Sequence, residues 1–285
     1  MKHIIEGFEY MPLTYYYLEL LVSPGPRKEK YKSNPAMREL GEDAGGILTL
    51  PRASFFWIAD GTSEESVLYD FSSRIFAQDL GLCYQKVALN EYKNKDIKLN
   101  LNIIIKKTFV EIENLWKERL KKRWDKLNES QQDQFINNLI HCGDNTRRRS
   151  WSSTFLGGFI NYETMELMYF NAGDCGGFFN NLNDEMTLII PNRKRIFIVI
   201  DCYPEDQYPI CTLIRASDIE EKIGNEKNVK NFAFITDGNT NRSLNKLLYT
   251  LLEQNSIQSI SYLLKRLRQK TYDDRAILFG SSLDY

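Results

Sequence analysis

A chain of 285 residues is long enough to bury a sizeable core and to form one large or two small domains. Hydrophobic residues make up 42% and aromatic residues 13%, which excludes a disordered polymer. The formal net charge of −1 gives no overall electrostatic reason to expect nucleic acid or an anionic membrane as partner.

The five cysteines, at 83, 142, 175, 202 and 211, form no Cys-x-x-Cys pair. Their odd number and irregular spacing read as reduced thiols in a cytoplasmic protein. His3 and His141 are the only histidines, which leaves little room for a zinc hydrolase or a Ser–His–Asp enzyme. Cys142 beside His141 is the remaining nucleophile–base candidate. Adjacent residues on a helix point apart, so packing is the simpler reading. The first residues lack the apolar core of an export signal, and no stretch reaches the ~18 apolar residues of a membrane span.

In chain order, residues 12–22 predict a first strand, and Ser23-Pro-Gly-Pro opens a charged loop. Ile47–Leu50 and Phe55–Ala59 predict a strand pair around Pro51-Arg-Ala-Ser. After Asp60-Gly61, Thr62 or Ser63 is placed to cap a helix with Glu64 and Glu65 in its first turn. Its apolar stripe runs from Leu68 through Phe71 and Ile75 to Leu80 and ends at Gly81. Phe109, Ile112, Trp116, Leu120, Trp124 and Leu127, at steps of three and four, predict a long helix over 100–127. Its Lys117, Arg119, Lys121, Lys122 and Arg123 read as a solvated face. A third helix follows over 130–141, capped by Ser130. Arg147-Arg148-Arg149 reads as a basic loop tip more simply than as a phosphate site.

Strands are then predicted at 151–160, 166–172, 176–181, 186–190 and 195–202, with a short helix at 216–223 and a strand at 231–236. Two helices carry Leu244, Leu247, Leu248, Leu251 and Ile260, Leu263, Leu264, Leu267, and a terminal strand covers 275–280. This order suits one α+β domain with antiparallel sheets covered by helices.

Acids recur where apolar runs stop. Phe55–Ala59 runs into Asp60-Gly61, Met168–Phe170 into Asn171-Ala-Gly-Asp174, and Phe232–Ile235 into Thr236-Asp237-Gly238; Asp273-Asp274 abuts Ala276–Phe279. Any one Asp-Gly is more simply a turn. Several carboxylates at strand ends are what an oxygen-liganded cation site requires.

The order of these acids resembles that of the metal-dependent serine/threonine protein phosphatases of the 2C type. Arg38-Glu-Leu-Gly-Glu42-Asp43 matches the family's Arg-x-x-x-Glu-Asp element, and Ala59-Asp60-Gly61 its first Asp-Gly. Ser152-Ser153-Thr154-Phe155 is similar to Gly-Ser-Thr-Ala, and Asn171-Ala-Gly-Asp174-Cys175 to Asn-x-Gly-Asp-Ser. Thr236-Asp237-Gly238 is similar to Ser-Asp-Gly, and Asp273-Asp274-Arg275-Ala276 to the closing element. Each motif is weak alone, but six in order are specific together.

The resemblance implies a four-layer α-β-β-α sandwich, two antiparallel sheets flanked by helix pairs, forming a single domain over 1–285 with its core at about 36–280. It also implies a site for two Mn²⁺ or Mg²⁺ ions. Asp60 would bridge them, with Asp43 and the Gly61 carbonyl on one ion and Asp237 and Asp273 on the other. Asp174 would help to hold a weaker third ion, Arg38 would grip the phosphate, and Glu42 would support the ligands. The implied reaction is attack of a metal-bridging hydroxide on phosphoserine or phosphothreonine in a protein substrate. The enzyme is expected to be cytoplasmic and monomeric, with neither nucleic acid nor membrane as partner.

Three departures stand out. Thr62 occupies a position where many relatives carry His or another larger residue, and a threonine cannot serve as a proton donor at neutral pH. Cys175 and Ala276 replace hydroxyls, and 203–230 carries no recognisable substrate-shaping motif. Thr62 keeps a catalytically weak or inactive regulatory module as the alternative, and hydrolysis of a small phosphate ester or nucleotide as a third reading.

Overall fold

The computed structural model describes residues 4–5, 8–9, 14–23, 41–61, 71–94, 99–140, 149–189, 198–204, 208–214, 223–236 and 275–283. Its elements begin with β1 (Ile4–Ile5), β2 (Phe8–Glu9), β3 (Tyr16–Ser23), β4 (Asp43–Leu50) and β5 (Ala53–Asp60). Three helices follow: α1 (Ser73–Lys93), α2 (Leu101–Trp124) and α3 (Glu129–Ile140). The next strands are β6 (Arg149–Ser153), β7 (Phe155–Asn161), β8 (Glu166–Ala172), β9 (Gly176–Asn181) and β10 (Met186–Ile189). The last are β11 (Ile198–Pro204), β12 (Pro209–Ile214), β13 (Ile223–Glu226), β14 (Val229–Ile235) and β15 (Arg275–Ser282).

One antiparallel sheet runs β13-β8-β7-β5-β4 and a second β10-β9-β14-β15-β3, with β12-β11-β6 as a smaller third and β1-β2 as a separate pair. Strand β5 shows why two layers form on either side of the first sheet. Side chains alternate along a strand, and β5 is apolar on both faces. Phe55, Trp57 and Ala59 join the helix-side core with Phe76, Leu80, Phe109 and Trp116. Phe56 and Ile58 join the core between the sheets, with Phe232, Phe234, Ala276 and Leu278 of the second sheet. The Phe56 ring lies 5.2 Å from Phe232 and 5.5 Å from Phe234, centre to centre.

The expected α+β sandwich is therefore present. Helices α1 and α2 cover the outer face of the first sheet, while the pair expected over 244–267 lies outside the described residues. The stripe predicted on the second helix is also found: Phe109, Ile112, Trp116 and Leu120 are buried.

Several boundaries differ for identifiable reasons. Helix α1 starts at Ser73, with Ser72 Oγ accepting from Ile75 N at 3.2 Å, and the cap expected at Thr62 or Ser63 lies outside the described residues. It does not stop at Gly81 but runs on to Lys93. A Cβ at Gly81 would lie 2.3 Å from the Trp57 ring, so this glycine is a packing notch within the helix rather than its end. Helix α3 is capped by Asn128, not Ser130. Asn128 Oδ1 accepts from Gln131 N at 3.0 Å while Gln131 Oε1 accepts from Asn128 N at 3.1 Å, a reciprocal capping box. The single strand expected over 151–160 is split at Thr154 into β6 and β7.

The reading of all five cysteines as reduced thiols is corrected. Cys202 and Cys211 are register partners on β11 and β12 and form a buried disulfide. Their nine-residue separation reveals nothing until the hairpin register is known. Cys83 and Cys175 are free and buried. Cysteine usage therefore carries no argument for a reducing compartment.

Candidate active site

Asp43 opens β4, Asp60 ends β5, and the two are register partners at the edge of the first sheet. Asp60 continues the parity of Phe56 and Ile58, and Asp43 that of Ile47, so both belong to the face turned toward the second sheet. Directly opposed residues of an antiparallel pair hold their Cβ atoms about 4.5–5.5 Å apart. Two carboxylates thus share one mouth of the gap between the sheets, Asp43 buried and Asp60 half-buried.

The second sheet reaches into the same mouth. Thr236, immediately after β14, donates from Oγ1 to Asp43 Oδ2 at 2.6 Å across 193 residues of sequence. Its hydroxyl oxygen accepts from Ala276 N at 2.8 Å, and its own N–H donates to Ala276 O at 3.1 Å. One hydroxyl therefore joins the ends of β4, β14 and β15. Arg275, the first residue of β15, is buried beside this junction, and burial lowers its pKa from the usual guanidinium range.

Asp60 is held by its backbone. Its N–H donates to Thr154 Oγ1 at 3.0 Å, and its carbonyl accepts from Thr154 N at 2.9 Å. Ser153 Oγ lies 3.0 Å from the same carbonyl and donates to Thr154 O at 2.6 Å. These contacts explain the break between β6 and β7, where the chain turns its hydroxyls onto the end of β5. Thr154 Oγ1 also meets Cys175 Sγ at 3.3 Å, and Cys175 O accepts from Asn171 Nδ2 at 2.8 Å. The Asn171-Ala-Gly-Asp174-Cys175 turn is so tied to Asp60 through one threonine. Gly173 has φ +110° there, and a Cβ would come within 2.6 Å of Thr154 Cγ2, so the turn requires glycine. Burial pushes the Cys175 thiol well above its ordinary pKa, and the nearby carboxylates of Asp60, Asp43 and Asp174 raise it further, against the Thr154 hydrogen bond.

Gly61 lies against the start of α1. A Cβ on it would stand 2.8 Å from the Ser73 carbonyl carbon and oxygen and 2.9 Å from Arg74 N. Its N–H donates to Glu42 O at 3.3 Å, which ties the buried Glu42 to the same corner. Arg74 Nη1 donates to the Gly41 carbonyl and lies 3.3 Å from that of Asp43. Sequence reasoning missed Arg74. Its signal was a cation in a first helical turn that holds no acid, where the helix dipole disfavours positive charge.

The structure thus brings Glu42, Asp43, Asp60 and Gly61 to one corner and links Asp174 to it through Cys175 and Thr154. Arg38, Thr62, Asp237 and Asp273 lie outside the described residues, as does the His141–Cys142 pair. Asp237 follows Thr236 directly, and Asp273 stands two residues before Arg275.

No family model matches the sequence, and no curated protein matches it by sequence. Solved structures match it in fold. The crystal structure of the Mycobacterium tuberculosis serine/threonine phosphatase PstP/Ppp matches at TM-score 0.53 and 13% identity, covering 96% of this chain and 100% of that one. The fold is that of a 2C-type serine/threonine phosphatase. A serine/threonine phosphatase of S. agalactiae matches at TM-score 0.49 and 12% identity over 94% of this chain and 99% of its own.

Among the described residues no group of three His, Cys, Asp or Glu side chains is gathered closely enough to hold a metal ion. The donor set nevertheless fits a hard divalent cation. Its described members are carboxylate and carbonyl oxygens, and burial raises the pKa of the neighbouring Cys175 thiol, which disfavours a thiolate ligand. Mg²⁺ and Mn²⁺ favour such oxygens, whereas Zn²⁺ sites favour imidazole and thiolate.

Proposed function

We propose that this chain is a Mn²⁺- or Mg²⁺-dependent phosphatase acting on phosphoserine and phosphothreonine in proteins, built as one domain with its core at about 36–280. The observation that carries the reading is the pairing of Asp43 and Asp60 at the mouth between the sheets, with Asp43 held by Thr236 from the opposite sheet. Asp43, Asp60, the Gly61 carbonyl, Asp237 and Asp273 would hold two ions, and Asp174 a weaker third. Bound ions would supply Lewis acidity and neutralise the charge that develops on the phosphoryl oxygens.

The chain's own residues supply position. Thr236 and Arg74 hold the strand that carries Asp43, by its carboxylate and its backbone carbonyl. Thr154 and Ser153 fix the backbone of Asp60. Arg38 would grip two phosphate oxygens at once, as a planar guanidinium can and an ammonium cannot. Among the described residues, the hydroxyls of Ser153 and Thr154 and the thiol of Cys175 are engaged with backbone or with each other, which agrees with a reaction that uses no protein nucleophile. A monomeric state and a cytoplasmic location belong to the same proposal.

The test is the rate of phosphate release from a phosphothreonine peptide, from free phosphoserine and from a nucleotide, each with Mn²⁺. The peptide should be turned over with the highest kcat/KM. A preference for the nucleotide would replace the protein substrate with a small one. Metal binding without any turnover would leave the fold as a regulatory module.

A further inference from the structure

A groove of about 480 Å³ lies between the first turn of α1 and the second half of α2, lined among others by Ile75, Glu118, Arg119, Lys122, Arg123 and Lys126. The one acid among the described lining residues, Glu118, stands 3.7 Å from Lys122 with side chains 69% and 76% exposed. A pair so wet contributes little and yields readily to a better partner. Arg119 is turned inward, its Nη1 2.6 Å from Asp79 Oδ2 and its guanidinium 5.6 Å from the centre of the Trp116 ring. The basic rim is then Lys122 and Lys126, with Arg123 beside them. Cations in the last turn of α2 complement the helix dipole, which accounts for Lys122 and Arg123. It does not account for Lys126 beyond the helix end, nor for a concave surface floored by Ile75 and Leu115.

The groove adjoins the candidate site. Ile75 follows Arg74, which holds the Gly41 carbonyl, and stands two residues after Ser73, against whose backbone Gly61 packs. In a chain with net charge −1, cations outnumber the one acid among the described lining residues. A basic cleft attracts acidic chains and speeds their encounter.

We propose that the groove docks an acidic segment flanking the phosphorylated residue of a protein substrate, an inference that rests on the phosphoprotein reading of the site. The experiment measures anisotropy of an unphosphorylated Asp/Glu-rich peptide and its Asn/Gln counterpart with the full chain. Turnover of the two phosphopeptides and of an aryl phosphate is followed in parallel. The acidic peptide should bind at least about tenfold tighter, and the contrast should collapse near ~1 M salt, where charges are screened within about 3 Å. Lys122→Glu with Lys126→Glu should abolish the contrast and raise KM for the acidic phosphopeptide roughly tenfold, with aryl phosphate kinetics held. The Gln pair should give a smaller loss in the same direction.

Equal binding of both peptides, or a contrast that survives charge reversal, would overturn the proposal. So would an oligonucleotide of equal charge binding more tightly than the peptide. Binding is read without turnover, so the two readings can fail separately. Charge-dependent binding without phosphate release sinks only the phosphatase reading, and turnover without acidic preference sinks only the groove.

Discussion

The hydroxyl of Thr236 donates to the carboxylate of Asp43 at 2.6 Å, joining the two sheets at the mouth that carries the acids. Replacing it by the near-isosteric Val removes a donor from Asp43 and an acceptor from Ala276 N. Thr236→Val should cost about 1–2 kcal/mol of stability, read by urea unfolding. Groups that orient metal ligands typically change affinity by about 10–100-fold, so Mn²⁺ binding should weaken by roughly tenfold or more. Thr236→Ser should restore both. A valine variant with unchanged Mn²⁺ affinity would make this hydrogen bond a purely structural one.

Gly61 meets backbone, not a yielding side chain, on the α1 side. Gly61→Ala should therefore shift the end of β5 or the start of α1, lowering turnover by about tenfold or more and stability by about 1–3 kcal/mol. Near wild-type melting together with near wild-type activity would show that this corner has more slack than the contacts allow.

Asp79 lies between α1 and α2, its Oδ2 accepting from Trp116 Nε1 at 3.1 Å and forming an ion pair with Arg119 Nη1 at 2.6 Å. Burial raises its pKa, and Arg119 and Trp116 pull it back down. A carboxylate raised in the folded state contributes stability that is full below its unfolded pKa and lost as pH climbs through the folded one. Arg119→Met removes the stronger opposing pull, so its cost should be small at mildly acid pH and should grow toward neutrality. A deficit of about 1–3 kcal/mol is expected at neutral pH, because a largely buried charge has lost its partner. Urea unfolding across this range checks it; a deficit that shrinks as pH rises would contradict the assignment.

The Cys202–Cys211 bridge closes a short hairpin inside the helix-side core. Alkylation of the unfolded chain without reductant should leave these two cysteines unlabelled. Their replacement by serine should cost about 2–3 kcal/mol from loop closure. Complete labelling would restore the reading of free thiols.

Much of the fold was legible because the signals were local. The apolar run Phe55–Ala59 ending in Asp60 is a buried strand, and the three-and-four spacing of Phe109, Ile112, Trp116 and Leu120 is a helix stripe. What stayed hidden depends on partners distant in sequence. Gly81 reads as a helix stop until the Trp57 ring is seen against it, and Cys202 reads as a thiol until register sets it opposite Cys211. In the site, the order of the acids was readable, and Asp43 and Asp60 do stand together. The restraints on them, Thr236 across 193 residues and Thr154 across 94, leave no periodicity in sequence. Arg74 was overlooked because nothing in the sequence marks the helix start at Ser73, whose first turn holds no acid.

The most direct test is Mn²⁺ titration of EDTA-stripped protein, followed by calorimetry and by phosphate release from a phosphothreonine peptide, for the wild type and Asp60→Asn. The wild type should be silent in EDTA, regain turnover with Mn²⁺ and more weakly with Mg²⁺, and fail to recover with zinc. Asp60→Asn should keep its fold but lose tight Mn²⁺ binding, with turnover down by roughly a hundredfold or more. Full turnover in EDTA, or an Asp60→Asn protein that binds Mn²⁺ and works like the wild type, would contradict the account.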